Sequence, residues 1–93
     1  MKKLQKLLIM SSLFAFIVGL RNDVIESQIN GVFNGFQHGN IYELMNGQAW
    51  QQIDQTYNNN NLYVPRVMIF ERNSYFYMKV DGMGEIITVQ QIR

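Results

Sequence analysis

Residues 41–53 read IYELMNGQAWQQI, and they decide the fold class. Asn46-Gly47 sits between two short runs of alternating apolar and polar residues. An Asn-Gly pair supplies the left-handed backbone of a type I′ turn, so this stretch predicts a tight β-hairpin. Its first strand is Ile41 to Met45, with Tyr42 and Leu44 on one side. Its second is Gln48–Ile53, where Trp50 takes the face opposite Ala49 and Gln51. The hairpin cannot bury both faces alone, so more strands must surround it.

Outward from the hairpin the same pattern repeats. Upstream, Ile25 to Phe33 predicts a strand with Ile29 and Phe33 on one face, and Gly31 and Gly35 mark a bulge or sharp bend. A turn near Gln37-His38-Gly39-Asn40 leads into the hairpin. Downstream, Asn58 to Asn61 with Leu62-Tyr63-Val64-Pro65 reads as a long connection, and Pro65 belongs at the start or edge of a strand because it has no N–H to donate. Val67 to Glu71 follows, with Val67 and Ile69 inward. Asn73-Ser74 turns the chain into Tyr75–Val80, where Phe76, Met78 and Val80 share one face and Tyr77 and Lys79 the other. Asp81 to Gly84 is a second glycine-rich turn. The last strand, Glu85 to Ile92, buries Ile87 and Val89. Met45, Met68, Met78 and Met83 read as adaptable core fillers.

Five or six short strands in about 70 residues are too few for an ordinary two-layer sandwich. The pattern predicts an all-β domain over residues 24–93: a small, strongly bent antiparallel sheet or SH3-like barrel of 5–6 strands. An OB-like topology is the alternative. Closure of the sheet would remove exposed edges.

The first twenty residues differ from the rest. Lys2, Lys3 and Lys6 precede an uncharged stretch, Leu7 to Leu20, reading LLIMSSLFAFIVGL. A basic head followed by an apolar run of this length fits the ~7–15-residue core of a secretory signal peptide. It is short of the ~20 residues a spanning helix needs. Residues 1–20 therefore read as a hydrophobic helical signal segment, with an uncleaved membrane anchor as the alternative. Export places the domain in the periplasm or outside the cell, and membrane contact would come only through residues 1–20 if they stay attached.

With the head's three charges set aside, the remainder carries a net charge of −2 and no basic block. Nucleic-acid binding has no electrostatic footprint there. The absence of cysteine rules out a disulfide framework, a thiolate metal site and a cysteine nucleophile. A single histidine, His38, leaves no imidazole pair, so neither a metal nor another cofactor is expected.

The segment IESQINGVFNGFQHGNIYELMNGQAWQQ, with YVPRVMIFE, YFYMKVDG and EIITVQQI after it, resembles a group of small, uncharacterised bacterial proteins, often exported. That group is built on a Gly-x-Phe-x-Gly-Phe … Leu-x-Asn-Gly-Gln-x-Trp-Gln-Gln core, matched here by Gly31, Phe33, Gly35, Phe36, Leu44, Asn46, Gly47, Gln48 and Trp50. The resemblance covers residues 25–93 and implies export and a β fold. Its residues are turn and core types rather than catalytic ones. This chain departs from it by carrying the Asn run ahead of the Pro-x-Val strand.

Among chemistry-bearing residues, Glu43 or Asp81 with His38 would be the members of a carboxylate-dependent hydrolase. Glu43 is predicted solvent-exposed, and His38 and Asp81 are turn residues, so an enzyme is not the expected reading. Glu26, Glu71 and Glu85 read as solvated strand positions. The aromatic set offers more. Tyr57, Tyr63, Tyr75 and Tyr77, with Gln52 and the amide-rich stretch 51–61, form a candidate binding surface for a protein, peptide or sugar. The expectation is a non-enzymatic exported interaction module; the alternative is a self-associating protein that buries its aromatic face in a homodimer.

Overall fold

The computed structural model describes residues 23–93; the expected signal segment, residues 1–20, lies outside the described residues. Eight strands are present: β1 (Val24–Gln28), β2 (Val32–Phe36), β3 (Ile41–Glu43), β4 (Ala49–Gln52), β5 (Asn58–Tyr63), β6 (Arg66–Arg72), β7 (Tyr75–Val80) and β8 (Ile86–Gln91). Six of them form one antiparallel sheet in the order β1-β6-β7-β8-β4-β3, and β2 and β5 form a separate two-stranded ribbon. An antiparallel bridge between Ile29 and Leu44 joins the two ends of the large sheet. Asn30 N donates to Glu43 O at 2.8 Å and Met45 N to Gln28 O at 2.8 Å on either side of it. The expected small, strongly bent antiparallel β domain is thus present, and its sheet closes on itself.

The period of two explains the interior. Val67 and Ile69 on β6, Met78 and Val80 on β7, and Ile87 and Val89 on β8 all point inward and are buried, while their neighbours face out. Trp50 is fully buried, its ring edge-on to Phe76 at 5.2 Å. Its indole Nε1 donates to Gln48 Oε1 at 3.1 Å, which satisfies the one polar atom a buried tryptophan brings. Met78 and Met83 fill the core as expected, but Met45 and Met68 are exposed.

The expected strand Ile25–Phe33 is two strands. Gly31, at φ 102°, ends the barrel part and starts the ribbon. The returning chain leaves the ribbon at Val64, which has φ 46° although it is β-branched. Val64 N donates to Gly31 O at 2.9 Å, so the two left-handed residues face each other where ribbon meets barrel. Pro65 then opens β6, and its carbonyl accepts from Ile29 N at 2.9 Å. The Asn run, expected as a connection, is instead most of β5. It pairs with β2 through a bulge, with Phe33 opposite Leu62 and Gly35 opposite Asn59, so that Asn34 faces two residues, Asn60 and Asn61.

Turn chemistry also differs from expectation. Between Leu44 and Gln48 the loop has three residues, Gly47 N donates to Leu44 O at 3.0 Å, and only Gly47 of the Asn-Gly pair has positive φ. This is a type I turn with a left-handed glycine rather than type I′. The type I′ geometry occurs at Asn73-Ser74, both left-handed, between the paired residues Arg72 and Tyr75.

Candidate functional site

The ribbon presents two unlike faces. Phe33, Phe36 and Leu62 point inward, and the Phe33 and Phe36 rings meet edge-on at 5.4 Å with Tyr42 beside both. Gly35 carries no side chain because none fits: a Cβ there would collide with the Asn58 carbonyl oxygen. The inner edge of β5 is fastened to the turn after β7. Asn58 Nδ2 donates to Glu85 Oε2 at 2.8 Å, Asn60 Nδ2 to Met83 Sδ at 3.4 Å, and Leu62 packs on Gly82. Glu85 was expected as a solvated strand position. It instead lies just before β8, half-buried, and its Oε1 is buried without a hydrogen-bond partner among the described residues.

The outer face of the ribbon is solvent-exposed and, among the described residues, carries no ionisable carboxylate or amine. On β5 it presents Asn59, Asn61 and Tyr63; on β2, Val32 and Asn34. Tyr63 is 80% exposed and Tyr57, just ahead of β5, is 63% exposed. Asn34, Asn59, Asn60 and Asn61 line one concavity at the bulge. A second, between β2 and β3, is lined by Asn30, Val32, Asn34, Ile41 and Glu43, with Phe33 and Tyr42 forming its floor. Asn34 belongs to both.

The five expected contact residues do not form one surface. Tyr57 and Tyr63 flank the ribbon's amides, whereas Tyr75 and Tyr77 belong to β7 on the barrel. Tyr77 lies against Phe70 at 5.8 Å, and the Arg72 guanidinium is 5.7 Å from the Phe70 ring centre. Gln52 is wholly inaccessible and serves the interior instead. Its Oε1 accepts from Tyr42 Oη at 2.7 Å and from Gln37 N at 3.0 Å, and its Nε2 donates to Thr56 O at 2.8 Å and Asp54 Oδ1 at 3.0 Å. Asp54 Oδ2 in turn accepts from Thr88 N at 2.8 Å. Burial pushes the Tyr42 hydroxyl above its ordinary pKa. Gln52 therefore ties β3, β4 and the loop before β5 together, and a ligand cannot reach it.

His38 and Asp81 are exposed turn residues, and Glu43 is exposed on β3, 3.8 Å from Arg93. Among the described residues, no group of three or more His, Asp or Glu side chains gathers as metal ligands would, and no helix is long and apolar enough to cross a membrane. Asn34 and Val32 were not singled out from the sequence. The signal was available: with Phe33 inward, alternation puts both of its neighbours on the outside. Comparison with protein-family models, curated proteins and solved structures finds no match.

Proposed function

We propose that the protein is a non-enzymatic, exported binding module whose contact surface is the outer face of the β2–β5 ribbon. One observation carries the reading. Tyr57 and Tyr63, two large amphipathic side chains, stand exposed at either end of a strand whose opposite edge is fastened to the barrel. Tyrosine offers apolar area and a hydroxyl at low conformational cost, which suits it to recognition. Because Gly35 and the inner phenylalanines fix the ribbon, the surface is preorganised and little ordering entropy is lost on binding. The basic head and apolar run of residues 1–20 support export to a bacterial envelope.

The test is co-sedimentation of the purified full chain with insoluble cell-envelope material. The expected result is that the protein pellets and that a Tyr57→Ala, Tyr63→Ala variant, still folded by Trp50 fluorescence, does not. Equal pelleting of the two would reject the ribbon as the contact surface.

A second reading, self-association, has its own support. On the outside of the barrel Val24, Phe70 and Tyr77 lie in one cross-strand row, and Met68, Lys79 and Ile86 in the next. Val24, Met68, Tyr75 and Ile86 are all exposed. Burial of this face in a homodimer requires sedimentation that depends on concentration; a strict monomer across the accessible range removes it.

A further inference from the structure

We infer that the ribbon's outer face, centred on Asn34, is a site for a neutral oligosaccharide. This rests on the binding-module reading and names its ligand. Six asparagines surround the two concavities that meet at Asn34: Asn30, Asn34, Asn40, Asn59, Asn60 and Asn61. A carboxamide both donates and accepts, as a sugar hydroxyl does, so amides can pair with adjacent hydroxyls in either sense. Among the described residues, the side chains of Asn34, Asn59 and Asn61 make no hydrogen bond within the protein and are exposed to solvent.

Charge selects against other ligands. Among the described residues, Glu43 is the one ionisable residue lining either concavity apart from the buried Tyr42, and it lies 3.8 Å from Arg93. Among the described residues neither concavity is lined by Lys, Arg or His, and the nearby Arg93 is paired with Glu43, so an anionic ligand gains little to replace its lost hydration. Tyr57 and Tyr63 are six residues apart, roughly 20 Å along an extended strand, and both are exposed at the ends of the amide row. A chain of several sugar units covers that span, its apolar ring faces on the tyrosines and its hydroxyls on the amides between. The lateral bulge at Asn60-Asn61 widens the ribbon at the centre of this row, where Asn34 faces two residues at once. An extended peptide that added as a further strand would engage an unpaired backbone edge rather than this outer face.

The experiment is an amide NMR titration of the full chain with two neutral tetrasaccharides, chitotetraose and maltotetraose, and with tetra-alanine as the peptide. The expected result is saturable shifts for at least one sugar, confined to residues 30–35, 40–43 and 57–63. Asn34→Ala and Asn59→Ala should each weaken that affinity about tenfold, as loss of a hydrogen bond at a well-fitted site does. Both variants should keep the amide spectrum of the folded barrel. Absence of shifts with either sugar, or shifts elsewhere on the surface, overturns the inference. Shifts of the ribbon edge with tetra-alanine alone also overturn it, while leaving the binding-module reading in place. That reading falls separately, if the chain does not bind envelope material through Tyr57 and Tyr63.

Discussion

The closed six-stranded sheet and the β2–β5 ribbon are made of the same kind of strand, yet they are stabilised differently. In the barrel, each strand has hydrogen-bonded neighbours and its inner residues meet across a shared core. In the ribbon, each strand has one neighbour, and the pair stays in place through Phe33, Phe36 and Leu62 beneath it and the amide contacts at its edge. A two-stranded sheet is marginal in water by itself. The barrel therefore supplies the ribbon's stability, and the ribbon's outer face is left with no structural duty. Function can be carried on the face whose side chains are free of packing.

Four substitutions probe that division. The largest effect is expected at Trp50, whose removal leaves a cavity in the barrel: Trp50→Ala should cost about 3–5 kcal/mol in urea denaturation. A loss below ~1 kcal/mol would mean that the core lies elsewhere.

Next is Gln52→Glu, which keeps the shape of the side chain but sets a carboxylate against Asp54 Oδ1 and Thr56 O, both acceptors. At neutral pH it should cost about 2–3 kcal/mol, as an unpaired buried polar group does. The introduced carboxyl is held above its unfolded pKa of ~4.3 by burial and by Asp54. The ionisation part of its penalty is therefore absent below that value, grows between it and the folded pKa and is complete above. The neutral acid, with one O–H donor for two acceptors, keeps a smaller deficit at every pH. Relative to wild type at the same pH, the variant should recover in part in acid. A wholly pH-independent deficit would mean that ionisation of the introduced carboxyl contributes nothing to it.

Gly35→Ala should cost about 1–3 kcal/mol, since it combines a left-handed backbone with a collision at the Asn58 carbonyl. Hydrogen exchange should quicken across β2 and β5 and stay slow in β6, β7 and β8. Equal acceleration everywhere would make barrel and ribbon one cooperative unit. The smallest of the four is a gain. Ser74→Gly relieves a non-glycine residue at φ 73° in an exposed turn and should stabilise by about 1 kcal/mol, read as a higher melting temperature.

Much of this architecture is legible in the residues. The inward sets on β6, β7 and β8 follow from alternation alone, because each strand has one dry face and one wet one. The ribbon is not legible in the same way. Asparagine is a poor strand former, and Asn58 to Asn61 become β5 because pairing with β2 and the contacts to Met83 and Glu85 outweigh propensity. The Asn46-Gly47 hairpin is correctly located, but loop length sets turn type. Three residues between Leu44 and Gln48 require one left-handed position, and two between Arg72 and Tyr75 require two. Gln52 is the instructive miss. Amide chemistry suggested a surface, while its spacing of two from Trp50 put it on the buried face. Geometry outranked residue type.

The proposed division of labour leaves the ribbon's outer face free to bind and asks nothing of it for the fold. Its most direct test is urea denaturation of a triple variant, Asn34→Ala, Tyr57→Ala and Tyr63→Ala, followed by Trp50 fluorescence. Stability within about 0.5 kcal/mol of wild type is expected, as for surface substitutions with no packing role. A loss above ~2 kcal/mol would contradict it, because those side chains would then be part of what holds the molecule together.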